Sequence, residues 1–358
     1  MEPNTAGIQE PDWARRYDAR DYPAFGYTAD VVGLTISKDG EGLEALIVRR
    51  GESGPFPGAM AFPGGFVDQE NDLTARAAAR RELQEETGIT NLRFLETLNV
   101  YDRNGRDPRQ FSYRIDASGN RQDAGARVVS TAFLGLFSRS YDRMAPRGGS
   151  DATYAGFEPV YRFLPWENLI SEVERKEYHR LLAKLSRWAG ENPVRAARIP
   201  DPFPRNLSDW NEELALERLE LLEDAGLVEE SSRDRWGRPR SAGPWVGDAL
   251  AFDHRKMLAE GIARVRGKVK YLPEALAALF PAPFTLTELR LGLEAILGRP
   301  IARQNMKRVF LGVHELIRDT GGKKQGDTGA PASVYHWVPG IDAVRLHAAM
   351  RLPFAALE

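Results

Sequence analysis

The chain has 358 residues, 42% of them hydrophobic, with 49 Lys and Arg against 51 Asp and Glu for a formal charge of -2. That length exceeds what one hydrophobic core usually serves, so two domains or one domain with large insertions is expected. The balanced charge excludes a uniformly basic nucleic-acid coat but leaves room for a local basic patch. With no cysteine in the chain, disulfides, thiolate metal sites and thiol nucleophiles are excluded, so any metal must sit on oxygen or histidine.

In chain order, the first 24 residues read as an N-terminal arm without an apolar signal core. No run of about 18 apolar residues occurs, so no membrane span and a cytoplasmic location are expected. From Ala29 to Arg50, "ADVVGLTISKDGEGLEALIVRR" reads as a β-hairpin around a Lys-Asp-Gly-Glu-Gly turn. "PFPGAMAFPGGFV" turns the chain. A helix is expected from about Asp72 to Thr87, with Leu73, Ala77 and Leu83 apolar and Gly88 just past its end. Strands are expected in "LRFLETLNVY", "RVVSTAFLGLF" and "PVYRFLPW", which makes residues 25–170 a mixed α/β domain.

Residues 171–249 read as a helical insertion, with "NEELALERLELLEDAGLVEE" between breaks at "PFPRN" and "RDRWGRPRSAGP". Connecting helices follow over 250–280, and Pro281 and Pro283 punctuate the start of a C-terminal unit over 281–345. There Thr285 and Glu288 form a capping-box pattern, Leu286, Leu289, Leu293 and Ile296 an apolar stripe, and Gly298 to Pro300 a turn. A second helix is expected from near Ala302, burying Met306, Val309, Phe310 and Val313 and leaving Arg303, Gln304, Lys307 and Arg308 outside. "GGKKQGDTGAPASVYHWV" reads as a basic loop returning into a strand. Helix, turn, helix and basic wing outline a winged helix, and 346–358 is a tail.

Two constellations carry chemistry. Glu82, Glu85 and Glu86 stand three and four residues apart, so their carboxylates share one helix face and repel unless a cation sits among them. Hard oxygen donors favour Mg²⁺ or Mn²⁺, which suit diphosphate chemistry. The plainer reading is a solvated charged face with an Arg81–Glu85 ion pair. The second constellation runs from Ile301 to Lys324, where Arg303, Lys307, Arg308, Arg318, Lys323 and Lys324 face only Glu315 and Asp319. That is a phosphate-backbone footprint with Gln304 beside it, or else the surface of a small dimerisation domain. Arg106, Asp107 and Arg109 in "RDPR" are candidates for bidentate phosphate binding, or a turn fixed by Asp-Pro. His254 in "FDH" reads as a packing residue at a helix start as readily as a site residue, and the five histidines form no metal spacing.

Gly65, Arg81, Glu82, Leu83, Glu85, Glu86, Gly88 and Ile89 resemble the Nudix box, G-x5-E-x7-R-E-U-x-E-E-x-G-U with U aliphatic. The chain departs from it in the middle: the first glutamate falls on Asn71 and Arg81 arrives two residues late, with Asp72 placed to replace the missing acid. The resemblance implies an α/β/α sandwich and a nucleotide site at Gly64, Gly65 and Arg81. It also implies metal on Glu82, Glu85 and Glu86, one of them serving as base. The ordered series "TADVVGLT", "FPGGFV", "RELQEETG", "YDRNGRDPR", "LAFDHRKML", "FTLTELRLGLEAILGRP" and "RQNMKRVFL" is similar to Nudix-related transcriptional regulators of NAD metabolism. Those join the box to a C-terminal winged helix and respond to ADP-ribose. This resemblance implies either a hydrolase of ADP-ribose-like pyrophosphates linked to double-stranded DNA or a non-catalytic ADP-ribose-responsive repressor, in both cases as a homodimer.

Overall fold

The structure, a computed structural model, describes residues 24–138, 152–325, 330–344, 346, 350 and 352. The arm expected over 1–24 and the tail expected over 346–358 lie almost wholly outside them.

Strands β1 (Gly26–Ile36) and β2 (Leu43–Arg50) form the expected antiparallel hairpin, with Leu34 opposite Ala45 and Ile36 opposite Leu43. The short β3 (Met60–Ala61) pairs with β2, and β4 (Gly64–Phe66) pairs with the start of β1, which sets Gly64 opposite Asp30. Helix α1 (Ala75–Thr87) leads to β5 (Phe94–Tyr101), a small hairpin of β6 (Tyr113–Ile115) and β7 (Arg121–Asp123), then β8 (Val128–Leu136) and β9 (Ala152–Pro159). The main sheet runs β3-β2-β1-β8-β5, with β1 and β8 parallel and β9 beside β2.

Side chains alternate across β1, and both of its faces are covered. Val31 joins Ala78, Leu83 and Phe133 on the α1 side, while Val32 and Leu34 join the larger core on the other side. Burial on both faces is why β1 reads as a nearly unbroken apolar run. Leu73 takes no part: Thr74 caps the helix after it, accepting from the Ala77 amide, and Leu73 is 95% exposed.

"PVYRFLPW" is not a strand. Only its first residue ends β9, after which come α2 (Val160–Phe163) and a 3-10 turn at Pro165–Glu167. A short buried apolar run carries no periodicity that separates strand from helix. Then follow α3 (Glu172–Ala189), opened by a full Ser171–Glu174 capping box, α4 (Pro193–Ala197) and α5 (Ala215–Asp224), and after an irregular stretch α6 (His254–Lys268) and α7 (Pro273–Leu279). The α3–α5 segment is tied to its surroundings by charge. Glu167 lies between Arg218 of α5 and Arg266 of α6, and all three side chains are fully buried.

The C-terminal unit has β10 (Phe284–Thr285), α8 (Leu286–Leu297), β11 (Ile317–Lys324) and β12 (Ala332–Trp337), with sheet order β10-β12-β11. Thr285 and Glu288 form the expected capping box and Gly298 closes α8 in the left-handed region. Leu289, Leu293 and Ile296 share one core with Ile262 and Val265 of α6. Two expectations need correction. The second helix is a 3-10 turn at Arg303–Asn305 followed by a wider π-helical segment at Arg308–Val313. Widening the turn rotates Val313 outward to 57% exposure, while Met306, Val309 and Phe310 stay buried. The stretch expected as a loop from Gly321 belongs to β11, whose backbone pairs with β12 although most of its residues are exposed. Among the described residues no helix is long and apolar enough to cross a membrane.

Candidate active site

Three pieces of chain build the site. The Gly64–Phe66 strand edges β1, α1 stands over it, and the segment around Phe252 closes one flank of a cleft of about 1880 Å³. Two glycines are required by close approach. A Cβ on Gly65 would meet the Glu82 carboxylate, and one on Gly64 would meet Asp30 and the Ala29 carbonyl.

The glutamates do not all converge. Glu82 and Glu86 turn toward the glycines, and the Gly64 amide donates to Glu86 Oε2 at 2.9 Å. Glu85 instead accepts from Arg81 Nη1 at 3.0 Å and remains 55% exposed. The same Arg81 Nη1 also reaches Glu82 Oε1 at 2.8 Å, so one guanidinium ties the exposed Glu85 to the inward Glu82, and the Arg81–Glu85 ion pair exists beside an inward Glu82 and Glu86 rather than in place of them. Among the described residues no three His, Asp or Glu side chains gather as a metal-holding group.

The stretched box is closed by Asp72. Its carboxylate takes Arg81 Nε at 3.2 Å and Nη2 at 2.7 Å, and the Asp68 amide at 2.9 Å. Asn71, which stands where the box would place its glutamate, donates its side-chain amide to Asp68 and so orders the loop without a charge of its own. Arg81 also donates to the Phe66 carbonyl and to Glu82.

Three carboxylates in this cleft hold protons unusually well. Burial raises Glu82, pushes Glu86 up to about 7 and pushes Asp30 up to about 6, and repulsion from Glu82 and Asp30 adds to the rise of Glu86. Asp30 receives the Ser130 hydroxyl, and its other oxygen lies 3.8 Å from His254 Nε2. His254 is a packed and polar member of the wall at once. Its Nδ1 accepts from the Phe62 amide at 2.9 Å, its ring stacks on Phe62, and burial keeps it well below its ordinary range and therefore neutral.

Of the "RDPR" residues, Arg106 is spent on a buried bidentate pair with Asp253 at 2.8 and 2.6 Å, so it braces the wall. Arg109 pairs with Asp107 and lies over the rings of Phe66 and Phe252, at 4.6 and 5.7 Å. Arg50, missed in the sequence, sits 4.9 Å over the same Phe252 ring. Burial and repulsion from Arg109 lower its pKa, so two guanidiniums crowd one ring in a cleft where an anion would relieve them. Phe252 and Phe56 adopt positive φ of 52° and 56° and touch each other at 4.8 Å between ring centres. Such strained non-glycine backbones are held only where the surroundings over-determine them.

At the far unit, Arg303, Gln304, Lys307 and Arg308 are exposed as expected. Lys323 and Lys324 are exposed too, but they donate to Ser333 and Glu288.

Comparison with known proteins accords with this geometry. Residues 26–148 match the NUDIX domain, and 126 residues are 32% identical to the ADP-ribose pyrophosphatase of Methanocaldococcus jannaschii, spanning 34% of this chain and 70% of that one. The chain belongs to the Nudix family. Its Nudix domain is joined to residues 276–337, which match the NrtR DNA-binding winged helix domain. The ADPR responsive transcriptional repressor NtrR of Acinetobacter baylyi is 35% identical over 106 residues, 30% of this chain and 41% of that protein. In fold, the Shewanella oneidensis NrtR crystallised with a 27mer DNA superposes with a TM-score of 0.51 at 21% identity, covering 91% of this chain and 99% of that one. The Nudix α/β/α sandwich and the winged helix inferred from the sequence are thus both present. The roles of the glutamates, arginines and basic residues named above are a matter of proposal.

Proposed function

We propose that the chain is a divalent-metal-dependent Nudix hydrolase that cleaves the pyrophosphate of ADP-ribose or a related nucleoside diphosphate derivative, and that its winged helix binds double-stranded DNA. The observation that carries this reading is the pair Glu82 and Glu86, desolvated and turned against the Gly64–Gly65 edge inside the arginine-lined cleft. Hard oxygen donors whose burial raises their pKa despite Arg81 beside Glu82 fit a divalent cation, and Glu82 and Glu86 are the residues that would hold Mg²⁺ or Mn²⁺. When bound, such an ion polarises a phosphoryl oxygen and neutralises charge.

The chain's own residues supply the rest. Arg109 and Arg50 orient the diphosphate. Glu86 Oε1, the oxygen that the Gly64 amide leaves free, accepts the proton of the attacking water. Water adds to one phosphorus, the bridging P–O bond breaks, and AMP and a sugar phosphate leave. Arg303, Gln304, Lys307 and Arg308 form the surface offered to DNA.

One observation favours a second reading, a nucleotide-responsive repressor without turnover. Arg81 already pairs with both Glu82 and Glu85, supplying part of the charge that a metal would bring. Gel shifts of promoter-proximal duplex, with and without ADP-ribose and Mg²⁺, test the DNA link in either case. A shift relieved by the nucleotide supports a coupled protein, and no shift on any such duplex counts against both DNA-linked readings.

A further inference from the structure

The cleft is larger than the glutamate site needs. At about 1880 Å³ it exceeds the roughly 300–1,000 Å³ usual for small-molecule sites. The extra wall comes from residues 229–250, sequence-distant from the box. Asp234 organises a tight turn there, accepting from the amides of Trp236 and Arg238, and Arg233 bridges to Pro239. The hairpin grips the cleft on both sides. Gly237, at φ 79°, lies so close to Phe56 that a Cβ would enter its ring, and Trp236 meets Phe111 edge-on at 6.2 Å between centres. Phe111 ends the 3-10 turn that also holds Arg109.

Two indoles line this wall, and they differ. Trp236 has a ring partner and the Arg235 guanidinium over it at 5.3 Å. Trp245 rests on Gly243, is half-buried, and has no ring partner or side-chain hydrogen bond among the described residues. Arg233 and Arg238 flank the same wall. A half-exposed indole in a cation-rich cleft, continuous with a diphosphate site, matches a flat heteroaromatic ring attached to phosphate.

We infer that the 233–245 segment is a base-binding roof, in which Trp245, with Trp236 beside it, stacks on the nucleobase of the nucleoside diphosphate held at the glutamate end. This assignment rests on the nucleotide reading above and adds the element that discriminates nucleotides from base-less pyrophosphates.

The test is titration calorimetry of the full chain with Ca²⁺ in place of Mg²⁺, so that binding is read without turnover, using ADP-ribose and, as the base-less probe, inorganic pyrophosphate. Trp245→Ala weakens ADP-ribose by about 10-fold or more and leaves pyrophosphate unchanged, and Trp245→Phe recovers most of the loss. Trp236→Ala, at a half-buried turn position, gives a smaller loss in the same direction and provides a reading if Trp245→Ala misfolds. Unchanged ADP-ribose affinity in both alanine variants overturns the roof and leaves the hydrolase standing. Equal loss for both probes also overturns it, since that is the mark of a collapsed cleft. If the native chain ignores ADP-ribose but binds another nucleotide through Trp245, the substrate assignment falls and the roof stands. Binding of no nucleotide at all overturns both.

Discussion

Arg81 and Asp72 are joined by two hydrogen bonds, Nε to Oδ1 at 3.2 Å and Nη2 to Oδ2 at 2.7 Å, across the two residues by which this Nudix box is stretched. The pair lets a longer loop deliver Glu82 and Glu86 to the same glycine edge. Asp72→Ala therefore lowers kcat/KM for the nucleotide by roughly 10- to 100-fold, because a loosened loop misplaces the glutamates. The melting temperature drops by less than about 5 °C. Steady-state kinetics beside a thermal melt checks this, and full activity in the variant would show that the loop holds itself.

Asp30 sets a pH dependence whose sign is fixed by its burial. Its folded pKa, about 6, lies above the ordinary 3.8, so the folded state binds a proton that the unfolded state does not. The stability from that proton is fully present below about 3.8 and lost as pH rises through about 6. Asp30→Asn, which can still accept from Ser130, is then more stable than the native chain at pH 7.5 by ~1–3 kcal/mol. The advantage vanishes near pH 4. Urea unfolding at both pH values measures it, and an advantage that grows on acidification would refute the assignment.

Glu167 carries the junction between the Nudix sheet, α5 and α6. Removing one partner of a buried ion network leaves uncompensated charge, which typically costs about 3–5 kcal/mol. Glu167→Leu leaves the Arg218 and Arg266 guanidiniums buried together, and a loss of that size in chemical unfolding is expected. A stability within 1 kcal/mol of native, on the same order as a surface change, would mean that the two arginines are held by their carbonyl contacts alone.

Lys307→Glu, at an exposed position in the C-terminal unit, weakens duplex binding by a similar factor across unrelated sequences. It also reduces the log–log salt slope by about 1, the mark of a lost phosphate contact. Gel shifts over a salt series read both. An unchanged slope would place the DNA surface elsewhere.

Much of this was legible because the relevant signals are local. The β1–β2 hairpin declares itself by apolar runs around a glycine turn, and α1 and α8 by their caps. The wing strand β11 was hidden because it is polar and glycine-bearing, and only pairing with β12 makes it a strand. Val313 was misplaced by assuming a 3.6-residue period through a widened turn. The Arg81–Glu85 ion pair was legible as an i, i+4 spacing, and the structure shows it beside an inward Glu82 and Glu86. In the cleft, Arg50, Phe252, Trp236 and Trp245 are brought together only by long-range packing, so no window of sequence contains them. Asp30 did leave a trace, as a lone acid in an otherwise apolar strand.

The most direct measurement is AMP formation from ADP-ribose with Mg²⁺, followed by chromatography, for the native chain, Glu82→Gln and Glu86→Gln. Glu86 sits at about 7 in the cleft, and its loss removes both the cation's donor and the proton acceptor. AMP is expected from the native chain, at least ~100-fold less from Glu86→Gln, and a comparable loss from Glu82→Gln, with all three proteins folded. Tight ADP-ribose binding by the native chain without any AMP would contradict hydrolysis and leave the glutamates as part of a sensor.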